Sequence, residues 1–326
     1  MKAIRFHELG EPEVLKLEEL PTPTPGAGEV LVRVRAAGMN FADTRFRRGE
    51  YFTKAVFPQI PGMEAAGDVV ALGAGAEGVQ EGDRVMVLGG TGAYAEYLTC
   101  KPYNLYPMPE ALDYAEAASL PVQGLTAQHV LALFGRLQRG ERVLVHAAAG
   151  GVGVLAVQLA KRMGASMVIA TAGSPEKLEL AKTLGADVVI NYRTEDVLKA
   201  VRHATGGEGV DVLLEMIGGT DHLKANLRSM APFGRMIVYG AAGGDTHGTV
   251  EPISLMLKNQ SILGYYLTPI LRQRELCAPV LEELAQDVVT GRLKVLIGKR
   301  YPLAEAVEAH RAMERRDTVG KLVLVP

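Results

Sequence analysis

Between Val143 and Gly153 the chain reads VLVHAAAGGVG, an apolar run that breaks into small residues and glycines and opens at once into the amphipathic stretch Val154–Met163. A strand, a glycine turn and a helix in that order make a dinucleotide-binding unit. The glycines let the backbone approach a pyrophosphate, and the helix N-terminus offers it N–H groups and a positive dipole end. The GxGxxG pattern is met by Ala148, Gly150 and Gly153, with alanine in the first glycine place. Glycine-rich turns also serve tight strand-to-helix packing, so the flanking elements carry the reading as much as the glycines do.

In an NAD-binding unit an acidic residue about 20 positions further on receives the ribose hydroxyls. Here the second strand ends Ile169-Ala170-Thr171-Ala172-Gly173, and Ala172 stands 19 residues past Gly153 with no carboxylate beside it. Ser174-Pro175-Glu176-Lys177 follows, in which serine suits a helix N-cap and proline the first helical position. Lysine at the third position opposes the helix dipole and displaces the Glu or Gln of a capping box. A bound anion accounts for that reversal, and the 2′-phosphate of NADPH is the candidate. Ser174, Lys177, Tyr192 and Arg193 are its expected cradle. A solvated Lys177 paired with Glu176 is the alternative on residue type alone; the missing acid decides for NADPH.

These residues need a parallel sheet to hold them. After Pro121 strands alternate with helices. Strands are predicted near Arg142–His146, Met167–Thr171, Val188–Ile190, Asp211–Leu214, Arg235–Tyr239 and Ser261–Gly264, and helices near Gly151–Arg162, Pro175–Leu184, Glu195–His203 and Thr220–Ser229. Six such strands complete a doubly wound sheet. The first third is instead strand-rich, with Val30, Val32 and Val34 set against Leu31, Arg33 and Arg35, runs at Asp68–Leu72 and Arg84–Leu88, and closely spaced turn signals of a small antiparallel barrel. A helix about Arg272–Thr290, another near Leu303–Arg315 and a strand Lys321–Val325 follow, the strand suiting an edge or seam of the first domain. The expected domains are thus 1–122 with 265–326, around 123–264.

Composition narrows the function classes. With 326 residues, 48% of them hydrophobic, the chain has a substantial core to bury. Its 35 basic and 37 acidic residues leave a formal charge of −2, so no global field draws nucleic acid or an anionic membrane. No apolar run nears the ~20 residues a membrane span needs, and the N-terminus lacks a signal peptide's apolar centre, so a cytoplasmic protein is expected. Cys100 and Cys277 are read as inert thiols.

The glycine turn, the barrel-like first domain, INYRTED, and the segments Gly38–Asp43 (GMNFAD) and Pro61–Gly67 (PGMEAAG) together resemble the medium-chain dehydrogenase/reductase superfamily, and within it the zeta-crystallin-like quinone oxidoreductases. The resemblance covers nearly the whole chain. It implies an α/β fold: a GroES-like barrel-type catalytic domain and a doubly wound Rossmann domain. Zinc-dependent alcohol dehydrogenases of the superfamily carry cysteine where this chain has Asn40 and histidine where it has Met63. Neither is a plausible zinc ligand here, so no metal is expected. Glu64 survives from that site and is expected to be structural.

From the same resemblance, Ala149, Gly150, Gly151, Val152 and Gly153 hold the pyrophosphate, Thr126 lies on the nicotinamide side, and Tyr239, Gly240 and Ala241 end a strand beside the cofactor. His146 is read as structural. Without a metal, charge developing on a carbonyl must be met by hydrogen-bond donors. Asn40 is expected to donate to the substrate oxygen or the nicotinamide ribose, and Asp43 to orient its neighbours. Tyr51 occupies the place of a tyrosine proposed as proton donor in enoyl-thioester reductases, and a phenol of pKa ~10 holds its proton at neutral pH. Position 45, a tyrosine in many quinone reductases, is Arg45. Arg47 and Arg48 read as a solvated loop. The implied activity is NADPH-dependent reduction of quinones or α,β-unsaturated carbonyls by a homodimer. An enoyl-thioester reductase with Arg45, Arg47, Arg48 and Lys54 lining a basic channel is the runner-up, and a non-catalytic NADPH-binding protein the reading from another class. Zinc alcohol dehydrogenase stands last.

Overall fold

Val30, Val32 and Val34 are buried while Arg33 and Arg35 face solvent, so the alternation in this segment makes one half-buried strand. The structure, a computed structural model, describes residues 1–90 and 92–326. It divides into two units, Met1–Leu125 with Thr268–Pro326, and Thr126–Leu267.

The first unit begins with the antiparallel pair β1 (Lys2–Arg5) and β2 (Lys16–Glu19). The valine strand β3 (Val30–Gly38) runs into a two-turn helix, α1 (Phe41–Arg47), and then β4 (Glu64–Leu72), β5 (Arg84–Leu88), β6 (Tyr97–Cys100) and β7 (Leu105–Pro107) follow. β3 is long enough to be shared. One side pairs with β4 throughout, and on the other its first half, from Val30 to Arg33, pairs with β6.

The second unit carries β8 (Arg142–Val145), α2 (Gly151–Arg162), β9 (Met167–Ala172), α3 (Pro175–Thr183), β10 (Val188–Asn191), α4 (Val197–Ala204), β11 (Val210–Glu215), α5 (Thr220–Ser229), β12 (Met230–Val238) and β13 (Ser261–Gly264). Strand order is β10-β9-β8-β11-β12-β13, every pair parallel, the doubly wound arrangement that the alternation implies. β12 begins five residues before the expected Arg235 because Met230 pairs with Val210 ahead of a register shift. The sequence order suggests a sheet edge at both Arg235–Tyr239 and Ser261–Gly264; β12 lies inside the sheet, so of these two only β13 is an edge strand.

The chain then returns to the first unit with α6 (Arg274–Val289), β14 (Ile297–Pro302), α7 (Ala306–Glu314) and β15 (Lys321–Val325). β15 is a seam: it pairs parallel with β14 and antiparallel with the last residues of β3, Ala37 and Gly38. β14 is absent from the sequence reading, since IGKRYP shows no apolar alternation; its place is set by β15. Leu322 and Leu324 of β15 join Phe6, Val32, Leu98, Ala306 and Ala309 in the core of this unit. Among the described residues no helix is long and apolar enough to cross a membrane.

Candidate active site

At the nucleotide turn, Ala148 donates its N–H to the Thr171 carbonyl (3.0 Å) and Gly150 to the Ala147 carbonyl (2.9 Å), fixing the chain where β8 becomes α2. A Cβ on Gly153 would stand 2.3 Å from the Ala147 carbonyl oxygen and 2.6 Å from Ala148 Cα, so only glycine lets the helix sit directly on the turn. Gly150 is the N-cap, and among the described residues no side chain caps this helix. Its first N–H groups, on Gly151, Val152 and Gly153, are therefore of the kind that phosphate satisfies. Ala149, beside them, is buried.

At the start of α3, Ser174 is the N-cap, its hydroxyl accepting the Lys177 N–H at 3.4 Å, and Pro175 is the first helical residue. A Cβ on Gly173 would lie 2.6 Å from Tyr192 Oη and 3.1 Å from Arg193 Nε. Both side chains thus reach back from the end of β10 to the helix start. No carboxylate stands at Ala172, so this cluster fits a phosphate better than a ribose diol. Tyr239 closes the hydrogen-bonded strand region with its N–H on the Glu215 carbonyl (2.9 Å), and burial followed by the nearby Glu215 carboxylate pushes its phenol up. Gly240 is exposed and Ala241 half-buried. Thr126 is buried in the short helix Leu125–Gln128. His146 is buried between Thr171 Oγ1 (3.0 Å) and Asn226 Oδ1 (3.1 Å), and burial pulls its imidazole down.

In the first unit Asn40 caps α1 in a capping box, with Asp43 accepting the Asn40 N–H at 2.8 Å. The expectation that the Asn40 amide faces a substrate is corrected in part. Its Nδ2 donates to Glu64 (2.8 Å), and its carbonyl accepts from Lys321 Nζ (2.9 Å). Glu64 is wholly buried, paired with Lys321 and accepting the Val122 N–H at 2.7 Å. Asp43 also accepts from the Tyr94 hydroxyl (2.9 Å), and burial, opposed by these donors and by Lys321, raises its carboxyl to about 6. Asn40, Asp43 and Glu64 therefore belong to one buried polar cluster. Tyr51 is elsewhere, beyond the other end of the seven-residue α1, half-buried with its ring 5.5 Å from Phe52.

Two members of the cluster, Lys321 and Tyr94, are missing from the sequence reading. The one signal for Lys321 was that Glu64, inside the small-residue run GMEAAG, needs a cation.

Arg47 is another correction: it is fully buried, donating to the Gly10 carbonyl (2.9 Å), to Glu314 (2.6 Å) and to His310 Nδ1 (3.0 Å). Arg48 pairs with Glu11 and Glu314, and Arg45 with Glu50. Three of the four cations of the supposed basic channel are thus paired with carboxylates, and Arg47 is too deeply buried to line it.

Because Arg47 donates to Nδ1, the His310 ring proton sits on Nε2. Burial first, then Arg47, pushes its pKa down to about 3. An unfolded histidine takes its proton near 6.5. The stability contributed by neutral His310 is thus whole above about 6.5 and drains away as pH falls towards 3. Asp43 acts oppositely: its raised pKa makes protonation favour the fold, a contribution present below about 4 and lost as pH rises through 6. Melting temperatures of His310→Gln, whose carbonyl can still accept from Arg47, should fall less between pH 7 and pH 4 than those of the parent. Equal slopes would rule out His310 as the acid-sensitive group.

A parallel sheet whose glycine turn opens a helix, preceded in the same chain by a strand-rich domain closed by the C-terminal strand, defines a medium-chain dehydrogenase/reductase. Residues 26–110 match the family model of the alcohol dehydrogenase GroES-like domain and residues 151–286 that of the zinc-binding dehydrogenase. The rat quinone oxidoreductase is 35% identical over 329 residues, spanning 100% of this chain and 98% of the relative. The rat synaptic vesicle membrane protein VAT-1 homolog is 36% identical over 96% of this chain and 81% of its own length. The crystal structure of Escherichia coli quinone oxidoreductase complexed with NADPH superposes with a TM-score of 0.94 at 33% identity, each chain covered in full. The chain belongs to the quinone oxidoreductase branch of this superfamily.

Proposed function

We propose that the protein is an NADPH-dependent reductase that delivers hydride to a quinone, or to the β-carbon of an α,β-unsaturated carbonyl, without a metal. The observation that carries the cofactor is the start of α3, where Tyr192 and Arg193 reach back to Gly173 beside the Ser174 cap, with Lys177 in the first turn, beyond a strand end that lacks an acid. The similarity to an oxidoreductase crystallised with NADPH supports the same reading. Bound NADPH supplies the hydride; the chain supplies binding, orientation and a proton.

In this reading the N–H groups of Gly151, Val152 and Gly153 hold the pyrophosphate, with Ala149 beside them. Thr126 lies on the nicotinamide side, and Tyr239, Gly240 and Ala241 end a strand beside the cofactor. Asn40 and Met63 occupy the two zinc-ligand positions with groups that bind zinc poorly, and the Asn40 amide is already committed to Glu64 and Lys321. Asn40 and Asp43 then fix the backbone at the head of α1, and Tyr51, outside the buried cluster, donates a proton to the oxygen that gains charge.

The test is the initial rate of NADPH oxidation with an ortho-quinone, repeated with NADH. NADPH should be preferred by about tenfold or more, and Lys177→Ala with Ser174→Ala should erase most of that preference while sparing the NADH rate, since each charge-assisted phosphate contact is worth ~1.5–3 kcal/mol. Equal rates in the parent protein would sink the phosphate site. NADPH bound with no turnover of quinones, enones or enoyl thioesters would make it a binding protein.

The homodimer is inferred from the sheet edge: among the described residues β13 pairs only with β12, and Ile253, Met256 and Leu257 are exposed a few residues before it in the chain. A two-fold pairing of β13 with its copy would satisfy both edges. Light scattering should give twice the 34.9 kDa chain mass; the mass of a single chain would overturn the dimer.

A further inference from the structure

Glu215 ends β11 with no exposed surface, yet it appears in no ion pair among the described residues. Its Oε1 accepts the N–H groups of Ile217 and Gly218 (2.8 Å to the latter), and its Oε2 accepts from the Asn226 amide. The rest of the chain of hydrogen bonds has a single allowed direction. Since Asn226 turns its Nδ2 to the carboxylate, its Oδ1 faces His146 Nε2 at 3.1 Å, so that nitrogen carries the ring proton. His146 Nδ1 is then an acceptor, and the Thr171 hydroxyl at 3.0 Å must donate to it.

One buried carboxylate thus orients groups at the ends of β11, β8 and β9 and on α5. The loop it folds extends the effect. Met216 and Ile217 accept the Ala242 and Gly243 N–H groups, both at 2.7 Å, just after β12. Four neighbouring strands are therefore tied together at their carboxyl ends, the side of an open α/β sheet where ligands bind. Deeper in the same sheet the residues are apolar: Leu144, Ile169, Leu213 and Met236. A carboxylate costs more to bury than such residues do, and what it supplies is a defined geometry.

We propose that Glu215 is the positioning residue of the nucleotide site, its carboxylate setting the loop Met216–Gly219 and, through Asn226 and the tautomer of His146, the strand end from which the glycine turn springs. The inference rests on the NADPH reading above and extends it to residues that do not touch the cofactor.

Glu215→Gln keeps the shape and turns one acceptor into a donor. The introduced amide would present its NH₂ to the Asn226 NH₂, so Asn226 must flip, and a flipped Asn226 forces the His146 proton from Nε2 to Nδ1. The double variant Glu215→Gln with Asn226→Asp restores the original direction, because the carboxylate then placed on α5 accepts both from the new amide on β11 and from His146. Two readouts follow, neither needing turnover. Imidazole ¹⁵N spectra of the free protein, assigned with His146→Gln, should show the Nε2–H form in the parent and the double variant and the Nδ1–H form in Glu215→Gln. NADPH titration should give a Kd raised about tenfold in Glu215→Gln, the size expected when the buried Thr171 hydroxyl loses His146 Nδ1 as its acceptor, and largely recovered in the double variant.

A Kd within twofold of the parent, or an unchanged His146 tautomer, would overturn the inference. If Glu215→Gln does not fold, Thr171→Val, which removes the last donor and leaves the carboxylate alone, should raise Kd several-fold; an unchanged Kd there overturns it equally. A parent protein that binds no NADPH at all would instead overturn the cofactor reading, and this inference with it.

Discussion

Lys321→Met should lower the melting temperature by about 10 °C. Lys321 and Glu64 are both buried to within 1% of completely, and Asn40, which bridges them, is 5% exposed. Removing one partner of a buried pair leaves the other charge uncompensated, at a cost of about 3–5 kcal/mol, and in a unit of this size each kcal/mol moves the transition by roughly 2–4 °C. The ammonium itself is held at some expense: burial draws its pKa below the usual lysine range against the pull of Glu64. That balance makes the double variant informative. In Lys321→Met with Glu64→Gln, a flipped Asn40 would accept through Oδ1 from the NH₂ of the introduced amide, whose oxygen would still accept from Val122, so much of the loss should return. A single variant that melts within 2 °C of the parent would mean that the pair is hydrated or dispensable.

The same pair shows where sequence reasoning stops. The glycine turn, the Ser174 cap and the six parallel strands are local patterns, each complete within a dozen residues, and the chain reads them out directly. The C-terminal strand KLVLV was also legible as a strand. Its lysine was not legible as buried, because the partner that justifies burial lies 257 residues away. Arg47 shows the same failure. In RFRRGE it looks like one charge of a solvated loop, but His310 and Glu314, 263 and 267 residues distant, enclose it. β14 is illegible for a related reason: nothing in IGKRYP is periodic, and its pairing comes from β15. Local chemistry is enough to propose the cofactor turn; the long-range polar pairs of the other unit need the fold.

Gly153→Ala tests the local half of that division, and its expected effect is on binding more than on folding. Alanine is ordinarily the better helix former by ~1 kcal/mol, so propensity alone predicts a small gain. The geometry predicts the reverse. The new methyl would meet the Ala147 oxygen at 2.3 Å and Ala148 Cα at 2.6 Å, all backbone, with no flexible side chain to yield. Either α2 moves outward or the turn after β8 opens, and both displace the N–H groups of Gly151 and Val152 from a pyrophosphate. Overpacking of this kind costs about 1–3 kcal/mol, which corresponds to a Kd for NADPH raised roughly 5- to 150-fold. Because the chain contains no tryptophan, the change can be followed by the emission of bound NADPH itself. Gly150→Ala is the control: its Cβ would lie 3.2 Å from the Ala147 oxygen, a contact relieved by a few tenths of an ångström, so a smaller loss is expected. Should Gly153→Ala bind NADPH as tightly as the parent protein, close approach of helix and turn would no longer explain the glycine, and the phosphate would have to be held elsewhere.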